Sequence, residues 1–104
     1  MEGLGWEVRY DQFRDKTPVG DKQFTNIIAT LNPGAPRRLV IACHYDSKLS
    51  PSGFLGATDS AVPCAQMINL ATVMRRDLND VHNRSSLVSL FCTCFKLVDF
   101  LRTA

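Results

Sequence analysis

Three side chains able to hold a metal ion or move a proton lie close together in this sequence: His44, Asp46 and Asp59. His44 and Asp46 are two residues apart, so at the end of an extended strand they share a face. A histidine so placed can bind metal, with the neighbouring aspartate holding the ring in orientation. Asp59 closes a glycine-containing loop just before a predicted helix, where the dipole stabilises a carboxylate in its charged form. A charged, partly buried carboxylate is a good oxygen ligand for zinc, at about 2.0–2.2 Å. The same local patterns also fit plainer roles, a helix cap for Asp59 and a hydrogen-bonded structural histidine for His44. What strengthens the chemical reading is their joint placement around one strand-loop-helix junction. This is where α/β enzymes build their sites, at the carboxyl ends of strands.

Two of the four cysteines, Cys43 and Cys64, bracket these polar residues. Four cysteines allow three complete pairings, and spacing does not choose among them. Cys43 ends a predicted strand and Cys64 falls in the first turn of the returning helix, so the two are well placed to meet. Closing that loop would add roughly 3 kcal/mol on chain-entropy grounds, and an oxidised pair would indicate a secretory compartment. Cys92 and Cys94 are too near in sequence to bond to each other without strain and read as small buried residues.

The elements that must position these groups follow from periodicity. Trp6 to Phe13 alternates apolar and polar residues, the pattern of a half-buried strand. Thr17 to Asp21 is a turn, and Phe24 to Leu31, rich in β-branched residues, is a second strand antiparallel to the first. Asn32-Pro33-Gly34-Ala35-Pro36 breaks it. Leu39-Val40-Ile41-Ala42-Cys43 is a continuous apolar run, expected of a central strand covered on both faces. Leu49 to Thr58 is loop. A helix is expected from Ser60 as N-cap, with Pro63 in its first turn. Its buried stripe is Met67, Leu70, Ala71, Met74 and Leu78, and Arg75-Arg76 close it against the dipole. Asn79 to Ser86 is polar linker, with His82 a solvated loop residue. Leu87 to Phe91 is a strand parallel to Leu39–Cys43 across a right-handed crossover. The predicted fold class is therefore α/β, a mixed sheet with a parallel centre and flanking helices.

With 104 residues the chain makes one small domain or part of a larger one. A net charge of +2 is too mild to argue for nucleic acid or an anionic membrane, and Arg37-Arg38 and Arg75-Arg76 read as solvated pairs. The first residues lack the basic start and apolar core of a signal peptide. No apolar run reaches the roughly 18 residues of a membrane span.

From about Gly5 to Leu78 the sequence resembles the amino-terminal part of the glutaminyl-peptide cyclotransferase catalytic domain, a family related to the zinc aminopeptidases. The resemblance rests on Thr17-Pro18 with Gly20, on Phe24 with Asn26-Ile27-Ile28, and on Thr30-Leu31-Asn32-Pro33. It is most specific at Ala42-Cys43-His44-Tyr45-Asp46-Ser47-Lys48 and Gly56-Ala57-Thr58-Asp59-Ser60-Ala61-Val62-Pro63-Cys64-Ala65. It implies a zinc-aminopeptidase-like fold and one zinc held by an aspartate, a glutamate and a histidine. The expected reaction closes the amino-terminal glutamine of a peptide to pyroglutamate and releases ammonia. Asp59 matches the aspartate ligand. Cys43 and Cys64 match the disulfide of the secreted animal enzymes. His44 matches a ligand of the two-zinc aminopeptidases that the cyclotransferases do not use, which assigns His44 and Asp46 to the pocket wall or the shell behind the metal.

Residues 92–104 depart from the pattern. Where the family continues with an aspartate-glycine-glutamate-glutamate stretch, this chain has Cys92-Thr93-Cys94-Phe95-Lys96-Leu97, and no glutamate follows position 7. The acid/base glutamate and two zinc ligands are missing, so the catalytic residue is unassigned and the chain is expected to be an incomplete domain, inactive alone. A zinc aminopeptidase fragment and a non-catalytic or truncated form are the competing readings.

Overall fold

The computed structural model describes residues 1–80 and 85–92. His82, Cys94 and the segment Lys96 to Ala104 lie outside the described residues. After a short 3-10 turn, Glu2–Leu4, come strands β1 (Glu7–Thr17) and β2 (Gly20–Leu31), then β3 (Arg37–His44), helix α1 (Val62–Val73), the single turn α2 (Arg75–Leu78) and strand β4 (Ser85–Cys92). Within the described residues they form one mixed sheet in the order β1-β2-β4-β3.

β1 and β2 form a long hairpin around Pro18-Val19, with Thr17 opposite Gly20. Thr17 ties the turn by accepting from the Val19 N–H at 3.2 Å and donating to the Gly20 carbonyl at 2.6 Å. Both strands run further toward the turn than the apolar pattern indicates. Cross-strand pairs join the two strands: Phe13 stacks on Phe24 with centroids 5.4 Å apart, and Asn26 donates to Asp11 at 3.1 Å.

β4 lies antiparallel to β2 and parallel to β3, with Leu39 opposite Leu87 and Cys43 opposite Phe91. The expected parallel pairing of the two apolar runs is therefore found residue for residue. Two-sided cover falls elsewhere than expected. In β4 every residue from Leu87 to Cys92 is buried, whereas in β3 Leu39 is 61% exposed. β4 has a hydrogen-bonded neighbour on each side; β3 has one, and forms an edge of the described sheet. An unbroken apolar run thus signals a strand of a parallel pair without saying which strand is central.

α1 covers one face. Its Met67 joins Cys43 and Phe91, and Ala71 packs with Trp6, Ala29, Leu31 and Leu87. Ile28, Val88, Leu90 and Cys92 form a separate buried cluster. The predicted helix stripe holds at Met67 and Ala71, but Met74 is 38% exposed. The helix stops at Val73, Met74 leaves helical geometry at φ −91°, ψ 14°, and Arg75-Arg76 belong to the separate turn α2 rather than closing α1. Ser60 is not the N-cap. The helix begins at Val62, directly after Ala61, and no side-chain hydrogen bond caps it. The Ala61 N–H is taken instead by the Gly56 carbonyl at 3.0 Å, which closes a turn around Asp59 and buries Ser60.

Candidate functional site

The carboxyl end of β3 carries His44, and the closed turn before α1 carries Asp59. Two constraints bring them together. The first is covalent: Cys43 and Cys64 are joined by a disulfide with Cα atoms 5.5 Å apart, linking the strand end to the first turn of α1. The second is the strand pairing, continued one residue beyond β3 by the Tyr45 N–H donating to the Cys92 carbonyl at 2.9 Å.

The geometry around His44 is explicit. Its Nε2–H donates to Asp59 Oδ1 at 2.8 Å, and its Nδ1–H donates to the Asp46 carbonyl oxygen at 3.0 Å, with Asp46 Oδ1 a further 3.3 Å from Nδ1. Both ring nitrogens face acceptors, and a neutral imidazole has one donor to offer, so these contacts select the doubly protonated ring. The His44 pKa is accordingly raised, chiefly by the hydrogen bond to Asp59. Burial opposes this, and the Asp46 carbonyl and the two carboxylate charges add to it. The Asp59 side chain is 72% exposed and so can reach a group arriving from the cleft.

His44, Asp46 and Asp59 line one cavity of about 470 Å³, whose wall includes Lys48 and Phe54. Lys48 Nζ sits 5.6 Å from the Phe54 ring centroid, a cation–π contact that holds the loop after β3 over the pocket. A groove of similar size, about 450 Å³, runs past Met1, Val8, Tyr10, Ile68 and Phe91 but has Glu2 as its one carboxylate and no imidazole. Converging charge, not volume, marks the site.

Two contributors escape sequence reasoning. Tyr45 donates its hydroxyl to the Thr25 carbonyl, tying the strand end to the hairpin, and burial followed by the Asp46 charge raises its pKa. Gly56 is buried behind Asp59. Both stand in the strings that carry the family resemblance, Ala42 to Lys48 and Gly56 to Ala65, but nothing in those strings reveals the packing of the glycine or the partner of the Tyr45 hydroxyl.

A carboxylate and an imidazole are the right donor chemistry for zinc, yet they do not complete a site. Among the described residues no three His, Cys, Asp or Glu side chains converge as a metal-binding group. His44 and Asp59 here are hydrogen-bonded to each other. Among the described residues no helix is long and apolar enough to cross a membrane.

The described elements make an α/β domain with a mixed sheet. The same fold occurs in a Zn-dependent exopeptidase from Parabacteroides distasonis, 18% identical, with a TM-score of 0.68 over 86% of this chain and 33% of that one. Residues 26–94 match peptidase family M28, and the chain belongs to that family. Within it the chain is similar to proteins named glutaminyl-peptide cyclotransferase. It is 51% identical to the glutaminyl-peptide cyclotransferase of Drosophila melanogaster over 88% of this chain and 27% of that protein. It is 50% identical to that of Gloydius blomhoffii over 96% and 29%. The glutaminyl cyclase of Macrostomum lignano is 42% identical with a TM-score of 0.77, over 88% of this chain and 27% of that one. The chain thus spans roughly a quarter of the length of these relatives (27%, 29% and 27%).

Proposed function

We propose that this chain is the strand-loop-helix portion of a glutaminyl-peptide cyclotransferase catalytic domain. Asp59 is one of its zinc ligands; the glutamate and histidine that complete the family's set have no counterpart in these 104 residues. His44 and Asp46 form the wall behind Asp59: His44 fixes the carboxylate's direction, and the Asp46 carbonyl fixes the ring. The substrates are peptides with amino-terminal glutamine, and the products are a pyroglutamyl peptide and ammonia. Zinc in the complete site would act as a Lewis acid on the glutamine amide. The chain's own residues hold the ligand and shape the pocket. The Cys43–Cys64 disulfide supports a secretory compartment. The observation that carries this reading is the 2.8 Å contact between His44 and Asp59 in a pocket at the strand ends, within a sequence half identical to named cyclotransferases.

Grafting residues 5–78 in place of the matching segment of the Drosophila cyclotransferase tests it. The chimera should release ammonia from glutaminyl peptides and leave aminopeptidase substrates intact. A folded chimera that cleaves amino-terminal residues, or does neither, would overturn the assignment. The peptidase outcome is worth measuring because the family takes its name from peptidases.

A further inference from the structure

We propose that Gly56 is a positioning residue for Asp59, required for its missing Cβ as well as for its backbone angle. The proposal rests on the reading of Asp59 as a ligand, but its geometry can be examined without metal or turnover. Gly56 is buried in the left-handed region at φ +62°, and a Cβ built on it would stand 2.7 Å from the Asp59 carbonyl oxygen and 3.2 Å from Ser47 Cβ. The first distance is shorter than real Cβ contacts reach, and its partner is backbone, which cannot swing aside as a side chain could. Nor can Asp59 retreat cheaply. The turn that carries it is closed by the Ala61 N–H to the Gly56 carbonyl at 3.0 Å, and α1 behind is anchored by the Cys43–Cys64 disulfide. The other wall, Ser47, follows Asp46 in the segment just after β3 ends at His44. Gly56 therefore lies between the two halves of the site, the strand end and the aspartate turn. An L side chain there would displace the Asp59 backbone, and Ser47 by a smaller amount, and with them the Asp59 carboxylate from His44.

Gly53 supplies the control. It is also left-handed, at φ +80°, yet a Cβ on it meets nothing within 4 Å. Gly53→Ala therefore carries the strain of a left-handed backbone without the contact. In the metal-free chain, nuclear magnetic resonance would follow two signals: the His44 Nε2–H proton held by Asp59, and amide protection along β2 and β4. Gly56→Ala should lose the His44 proton resonance while sheet protection persists, and Gly53→Ala should keep both. Three results would overturn the proposal: Gly56→Ala keeping both signals, both variants losing the His44 resonance alike, or Gly56→Ala losing it together with sheet protection.

Discussion

His44 Nε2 and Asp59 Oδ1 stand 2.8 Å apart although 15 positions separate them in sequence. Each belongs to a different element, the end of β3 and the turn before α1. Their meeting is a consequence of tertiary structure: the disulfide, the parallel pairing of β3 with β4, and the glycine that lets the turn close against Ser47.

This contact sets a pH dependence. The His44 pKa is raised above its ordinary value of 6.5 in the folded chain. Its contribution to stability is therefore complete below that value and is lost as pH rises through the higher folded pKa. Metal-free chain should lose stability over that window, by a small, salt-sensitive amount because Asp59 is largely exposed. Denaturant titrations across pH should show the loss, and Asp59→Asn should flatten it.

The disulfide closes a loop of 21 residues. Reducing it, or replacing both Cys43 and Cys64 by serine, should lower stability by about 3 kcal/mol. A midpoint unchanged by reductant would contradict this.

Two buried serines in β4 should respond oppositely. Ser86 donates to the Leu31 carbonyl at 2.8 Å, whereas the buried Ser89 hydroxyl has no partner among the described residues. Ser86→Ala should cost about 1 kcal/mol, and Ser89→Ala should be neutral or stabilising by a similar amount. Chemical denaturation of the two variants side by side reads the difference.

The 104-residue chain by itself should not cyclise glutaminyl peptides. A catalytic zinc typically takes three protein ligands, and the described residues bring no three together. Loss of a proton relay by itself typically costs a factor of about 10²–10⁴, and because both defects act on one transition state their costs do not simply add. Ammonia release with added zinc should match the metal-free control.

Much of this arrangement was legible. The two apolar runs, Leu39–Cys43 and Leu87–Phe91, announce strands, and their pairing follows from the helix between them. The motifs around His44 and Asp59 indicate a site before any geometry is known. Less legible were features decided by closure in space. Ser60 looks like an N-cap because serine preceding a proline-started helix usually is one; here the Gly56 carbonyl takes the Ala61 N–H, and Ser60 is buried instead. Met74 fits the helical period, but the helix breaks there and leaves it partly exposed. The position of β3 at the edge depends on which strands pair, which no single run of residues encodes.

The central claim is that Asp59 holds the metal and His44 holds Asp59. It is tested most directly in the chimera with the Drosophila cyclotransferase, by measuring bound zinc and ammonia release for Asp59→Ala and His44→Ala. His44→Ala should lose about 10–100-fold in metal affinity or activity, as residues behind a ligand do, and Asp59→Ala should lose more of both. A folded Asp59→Ala chimera that retains zinc and turnover would contradict the account.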